Sequence, residues 1–395
     1  MKYRTFGKLD WKVSALGFGV LRLPIIGNDP GNIEELKSEK MIRYAIDHGV
    51  NYIDTAYTYH GGKSEGFVGN FLKKGYRENE KLATKMPTWL VHSQADMDKF
   101  LFEQLNRLQT DHVDFYLLHG LDKEEWTKML KLNVFDWMEK KIKSGKIIHV
   151  GFSFHDEYDV FQDIVDGYDK WDLCQIQFNY MDPEYQAGTK GLKYAASKGL
   201  GVVIMCPIAG GLLAVTPPEE VQAIWDEAET KRTPADWALQ WVWNHSEVSV
   251  VLSGMSTIDQ VVENVTSADR SNPGILTNNE LDIIARVRKK YREYGLLGCT
   301  GCQYCVPCPE GVDIPQIFAL YNEYFMKSSA RALRSDGSIP DSRDKTIIQK
   351  YNDIMPPEKK AKKCIKCGQC EEKCPQHLPI QNLLRKVSSL FETEN

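Results

Sequence analysis

The sequence predicts an α/β protein of two parts: a closed barrel of eight parallel strands alternating with helices, followed by a small cysteine-rich helical module. Three observations carry this reading. Eight short apolar runs recur between Val13 and about Val265 with amphipathic segments between them, the pattern of a parallel sheet with helical crossovers. No Gly-x-Gly-x-x-Gly follows the first run, where an open dinucleotide-binding sheet would place its phosphate turn. Eight of the ten cysteines lie beyond residue 298. At 395 residues the chain has room for two domains of unequal size.

The strand runs are Val13 to Val20, Tyr52 to Ala56, Lys81 to Met86, Val113 to His119, Ile147 to Ser153, Leu173 to Asn179, Gly201 to Pro207 and Val248 to Met255. Ser93 to Leu108 and Pro234 to His245 read as helices, the second opened by Thr233 as N-cap with proline at the first helical position. Eight such units in about 250 residues match a (β/α)8 barrel of the TIM type. A further helix from Asn278 to Tyr294 leads to Gly295, where the composition turns to Gly, Cys and Pro. The domain boundary falls there, giving a barrel over 1–295 and a module over 296–395. In the module Pro315 to Met326 and Ile380 to Phe391 read as helices, with a polar stretch from Ser328 to Lys345.

A composition of 42% hydrophobic and 26% charged residues excludes disorder and coiled coil. The net charge of −5 offers no general attraction to nucleic acid or anionic membrane. Gly199 to Pro218, the longest uncharged run, is broken by Pro207, Gly210 and Gly211, and Met1 to Gly7 holds no apolar signal core. A cytoplasmic protein without disulfides is expected. Cys174 and Cys206, apart from the others, read as core residues. Trp237 and Trp241, four apart on one helix, read as packing.

The clustered cysteines run Cys299-x2-Cys302-x2-Cys305-x2-Cys308-Pro309 and Cys364-x2-Cys367-x2-Cys370-x3-Cys374-Pro375. Two-residue gaps let successive thiolates curl around one cubane, while the cysteine before proline reaches the other cluster. Two [4Fe-4S] clusters follow, one on Cys299, Cys302, Cys305 and Cys374, the other on Cys364, Cys367, Cys370 and Cys308. The alternative is zinc, which more often uses separated Cys-x2-Cys pairs. The module resembles the α-helical ferredoxin domains of redox enzymes. Lys359, Lys360, Lys362, Lys363, Lys366 and Lys373 surround the second group, either as a solvated face or as a docking patch for an acidic ferredoxin or flavodoxin.

Chemistry in such barrels sits at the C-terminal ends of the strands. There the sequence places Asp54, Tyr59, Lys85 and His119: a proton donor, a cation to lower its pKa, a carboxylate to hold the cation and an imidazole to orient a carbonyl.

The stretch Gly49-Val50-Asn51-Tyr52-Ile53-Asp54-Thr55-Ala56-x-x-Tyr59, with Thr84-Lys85, Leu117-Leu118-His119 and Gly151-Phe152-Ser153, resembles the aldo-keto reductases over residues 1 to about 290. With the cysteine module the chain is similar to the ferredoxin-fused branch of that family. The resemblance implies that Tyr59 is the general acid, tuned by Lys85 and Asp54, with His119 orienting the substrate oxygen. It implies that Ser153 and Gln175 hold the nicotinamide carboxamide and that Met205 stands where an aromatic ring usually covers the nicotinamide. It places Arg22 where a cation meets the pyrophosphate, Gly210 and Gly211 in the cofactor-binding loop after the seventh strand, Ser253 and Gly254 in that after the eighth, and Glu263 and Asn264 at the adenine-side motif. Phe154 replaces an asparagine usual beside the serine. Gly254 and Gln260 stand where many relatives grip a 2′-phosphate, which leaves NADP(H) and NAD(H) both open.

The expected function is hydride exchange between NAD(P)H and a small aldehyde, ketone or alcohol, with clusters serving a carrier protein. Nicotinamide moves two electrons and a cluster one, so direct coupling needs a flavin or a radical step, and no motif names a flavin. The alternative function is a nicotinamide- and redox-sensing interaction protein with structural clusters.

Overall fold

The computed structural model describes residues 1–27, 29–78, 80–327 and 345–392. The polar stretch expected from Ser328 falls in 328–344, outside the described residues. Compactness sorts the chain into two units: Met1–Pro207 with Asp236–Leu276, and Ile208–Ala235 with the chain from Thr277 onward.

In the first unit an antiparallel hairpin of β1 (Tyr3–Phe6) and β2 (Leu9–Ser14) precedes the barrel. The sequence reading has no hairpin and runs the first barrel strand from Val13. In the structure Val13 and Ser14 end β2. The signal was present: apolar and polar residues alternate along Leu9–Ser14, and Gly7, at φ +55°, supplies the left-handed turn residue of a short hairpin loop.

The barrel consists of β3 (Leu16–Gly19), β4 (Tyr52–Asp54), β5 (Lys81–Pro87), β6 (Val113–Leu121), β7 (Ile147–Phe154), β8 (Leu173–Gln177), β9 (Gly201–Met205) and β10 (Val250–Ser253). Each strand lies at one of the eight apolar runs. All neighbours are parallel, and β10 closes on β3 with Val251, Leu252 and Ser253 opposite Leu16, Gly17 and Phe18. The hairpin plugs the N-terminal end. Phe6 is fully buried, its ring centroid 5.0 Å from that of Phe115 and 6.0 Å from that of Tyr52. The Asn51 amide ties hairpin to barrel, accepting from Ser14 N at 2.8 Å and donating to Lys12 O at 2.9 Å. The Arg4 guanidinium donates to the carbonyls of Trp243, His245 and Val248, satisfying groups that the end of helix Pro234–Trp243 leaves open.

In the second unit helix Asn278–Glu293 opens with a reciprocal capping box between Thr277 and Glu280. Ion pairs Arg232–Glu280, Lys290–Glu220 and Arg286–Glu227 join this helix to the 208–235 segment. Helices Ile314–Lys327, Lys345–Ile354 and Ile380–Phe391 build a core around Phe318, Tyr321, Tyr324, Tyr351, Val387 and Phe391. Cys299, Cys305, Cys308, Cys364, Cys370 and Cys374 pack against it half-buried. Asn322 clamps the chain before the first cysteine, accepting from Leu297 N at 2.7 Å and donating to Leu297 O at 2.9 Å. Among the described residues no helix is long and apolar enough to cross a membrane.

Phe6→Ala removes the ring that fills the barrel floor, and a loss of about 3 kcal/mol is expected, read as a lower urea midpoint for the barrel. An unchanged midpoint would show that the hairpin does not hold the barrel closed.

Candidate active site

The register of the barrel brings polar side chains of six strands, β4 to β8 and β10, to its C-terminal rim. Asp54 ends β4, Lys85 lies opposite Leu117 of β6, and Pro87 opposite His119. Ser153 of β7 is paired with Gln175 of β8, and Gln177 with Met205 of β9. Ser253 is the last residue of β10.

The four residues assigned to chemistry converge. Lys85 is fully buried, and its Nζ donates to Asp54 Oδ1 at 2.6 Å and to Thr55 O at 2.7 Å. That nitrogen lies 5.1 Å from the centroid of the Tyr59 ring, which stands edge-on to His119 with centroids 6.0 Å apart. Burial pulls the Lys85 ammonium below its usual range and pushes the Asp54 carboxyl above its own, and each charge opposes the other's shift. The 2.6 Å contact holds the pair ionised. His119 is pushed well below the usual imidazole range, first by burial, then by the Lys85 charge and by His155, so the ring is neutral at neutral pH.

A second buried carboxylate backs this pair. Glu65 accepts from Thr84 Oγ1 at 2.7 Å and from Gln104 Nε2 at 2.6 Å, with Arg107 at 3.3 Å. Gln104 also donates to Lys85 O at 3.0 Å and accepts from the Tyr116 hydroxyl at 2.7 Å. Sequence reasoning missed Glu65, although a glutamate inside the apolar helix Ser64–Leu72 was a usable signal. It also missed Trp89, whose ring lies 5.1 Å from that of His119, and His155.

Ser153 Oγ accepts from Gly120 N at 2.8 Å, and Gln175 Nε2 faces Met205 Sδ at 3.8 Å. Gln175 Oε1 is buried with no hydrogen-bond partner among the described residues, an acceptor that a carboxamide N–H would satisfy. The Arg22 stem covers Gly254, where a Cβ would lie 3.2 Å from Arg22 Cδ. Ser253 Oγ accepts from Asn264 Nδ2 at 2.9 Å, and Glu263 lies half-buried beside Asn264 on helix Ile258–Asp269. Gln260 is occupied locally, accepting from Ser256 N at 2.8 Å. Gly210 and Gly211, both at positive φ, belong to the second unit, where a Cβ on Gly210 would lie 2.3 Å from Thr300 O. Cys174 is buried as expected. Cys206 is only half-buried, with φ +54° at the end of β9.

The clustered cysteines line two cavities. The first is bordered by Cys299, Cys302, Cys305 and Cys374, and the second by Cys308, Cys364, Cys367 and Cys370, with Cys305 touching both. Burial pushes the Cys305 thiol far up, reinforced by Cys302, Cys299 and Cys374, and burial pushes Cys370 up to about 11, with Cys364, Glu371 and Cys367 adding. Each set thus crosses from one sequence group to the other. Among the described residues no three His, Cys, Asp or Glu side chains converge as ligands of a single ion do. Thiols spread around a cavity suit a cubane, whose irons take one thiolate each.

The aldo/keto reductase family model matches residues 15–273, and a 4Fe-4S dicluster domain matches residues 298–378. The chain belongs to the aldo/keto reductase family and is an oxidoreductase with a C-terminal 4Fe-4S domain. It is 29% identical over 286 residues to the L-galactose dehydrogenase of Arabidopsis thaliana, covering 68% of this chain and 88% of that one. The holo form of the aldo-keto reductase AKR11C1 from Bacillus halodurans superimposes with a TM-score of 0.59 at 30% identity, over 73% of this chain and 96% of its own. An aldo-keto reductase from Klebsiella pneumoniae in complex with NADPH gives 0.58 at 25% identity, with the same coverage.

Because Lys85 has a lower pKa folded than unfolded, the unfolded chain binds more protons between the two values, and over that window stability rises with pH. Asp54→Asn removes the largest opposing charge and widens the window. A loss of about 3 kcal/mol is expected near neutrality. It should shrink as the pH rises toward the unfolded lysine range, measured as paired urea midpoints. A deficit constant with pH would show that the stranded ammonium is not its cause.

Proposed function

We propose that the barrel transfers hydride between NAD(P)H and a small aldehyde or ketone. We also propose that the C-terminal domain, from residue 296, carries two [4Fe-4S] clusters that exchange electrons with a ferredoxin- or flavodoxin-type carrier. The observation that carries the barrel's part is the buried Lys85–Asp54 pair beside Tyr59 and a neutral His119. Nicotinamide, when bound, supplies or takes the hydride. Tyr59 donates its phenolic proton to the carbonyl oxygen, and the nearby Lys85 cation favours the phenolate that remains. Asp54 keeps that cation in place without water. His119, being neutral, donates one N–H to the oxygen without competing as a second acid.

With the nucleotide bound, Ser153 and Gln175 would hold the carboxamide and Met205 would pack on the nicotinamide. Arg22 would meet the pyrophosphate, Gly210, Gly211, Ser253 and Gly254 would belong to the cofactor-binding loops, and Glu263 and Asn264 would serve the adenine side. The complexes of the Klebsiella relatives with NADPH and NADP favour NADP(H). A sensor would have no use for a tuned proton donor, which favours the enzyme over the redox-sensing reading.

Tyr59→Phe is expected to lower carbonyl reduction by about a thousandfold with nucleotide binding kept, measured by steady-state kinetics and fluorescence titration. Full activity would refute the acid role. For the clusters, Cys299, Cys302, Cys305 and Cys374 form one ligand set, and Cys308, Cys364, Cys367 and Cys370 the other. The double variant Cys299→Ser/Cys374→Ser is therefore expected to keep about half its iron, and Cys364→Ser/Cys374→Ser almost none. The reverse result would mean that each sequence group holds its own cluster.

A further inference from the structure

We infer that the lysine-rimmed face over the cavity of Cys364, Cys367 and Cys370 is the docking site of a small acidic one-electron carrier protein. This rests on the reading above that the cavity holds a cluster exchanging electrons. Cys367 is exposed, whereas the other seven clustered cysteines are half-buried. A cluster bound there has its solvent-facing edge at Cys367, and electron transfer between proteins favours the shortest approach.

The surroundings of Cys367 have the anatomy of an interface, an apolar centre within a polar rim. Ile365 lines the cavity and is 61% exposed; Val306, 41% exposed, sits between the lining residues Cys305 and Pro307. Lys366 and Lys373 line the same cavity with their residues exposed, and Lys362 and Lys363 lead into Cys364. Among the described residues no carboxylate lies within ion-pair distance of Lys363, Lys366 or Lys373. From residue 356 to 377 six lysines stand against three glutamates, in a chain whose net charge is −5. One of those glutamates, Glu371, accepts from Gln381 N at 2.8 Å and from its side chain at 3.0 Å.

A local cationic face on an acidic protein steers an acidic partner to one place and turns it away elsewhere. Its centring on the exposed cysteine selects a redox protein rather than a nucleic acid or a lipid surface. In each encounter one electron leaves the reduced carrier and enters one cluster, or passes the other way.

The test uses anaerobically purified, cluster-replete protein and an acidic [2Fe-2S] ferredoxin as probe. Affinity is measured calorimetrically at about 0.05 M and about 0.3 M salt for the wild type and for the triple variant Lys363→Glu/Lys366→Glu/Lys373→Glu. A glutamine triple and a control reversing the exposed barrel residues Lys123, Lys131 and Lys143 accompany it, with iron content checked in each. The wild type should bind with salt-sensitive affinity, weakened at least about tenfold by the reversal, less by glutamine and not by the control. Carbonyl reduction should be unchanged. Equal affinity in wild type and reversal variant, or no binding by the wild type, overturns the docking site. Stopped-flow mixing with oxidised and reduced ferredoxin separates the underlying reading: binding without electron passage in either direction would sink electron exchange while leaving the surface standing.

Discussion

The pairing of β10 with β3 is the constraint on which the site depends. With Ser253 opposite Phe18 the sheet has no edge, and every strand must end at one rim. In a closed barrel the stagger between neighbours is common to the whole ring, so a side chain at the end of one strand has a definite neighbour at the end of the next. The pairings Lys85 with Leu117, Ser153 with Gln175 and Gln177 with Met205 are that rule realised. The hairpin maintains it from the opposite end, because Phe6 seals the floor and the Asn51 amide ties the hairpin to the entrance of β4.

Within that frame the electrostatics follow from burial. An ammonium with no exposed surface survives only beside an anion, and Asp54 supplies one at 2.6 Å. Glu65, with its own anchor in Arg107, adds a second negative charge and spreads the demand over a network through Gln104 and Tyr116. Burial first, and the Lys85 charge second, keep His119 neutral beside the Tyr59 ring.

The second unit works on a different principle. Helices Ile314–Lys327, Lys345–Ile354 and Ile380–Phe391 gather on one aromatic core, against which a metal brace can be anchored. The half-buried cysteines packed on Phe318, Tyr321 and their neighbours are placed where such a brace joins segments otherwise distant in sequence. Each cavity draws cysteines from both sequence groups, on either side of residues 309–363.

Local periodicity made much of this legible. The eight strands, the helix Ile380–Phe391 and the candidate residues Asp54, Tyr59, Lys85 and His119 all stand where apolar runs, caps and strand ends place them. So do the two cysteine ladders, since close spacing in sequence is itself a spatial restraint. The hairpin was readable from Gly7 and the alternation of Leu9–Ser14 after it, but it was masked because Val13 continues into an apolar run. Only the tertiary structure decided the rest. Glu65, Gln104 and Arg107 act together across 42 residues of separation. The packing of 208–235 with helix Asn278–Glu293 joins ion-pair partners as far as 70 residues apart, Lys290 with Glu220. Sequence determines which residues can do chemistry and the period on which they recur; long-range partners are chosen by barrel closure and core packing, which no local pattern records.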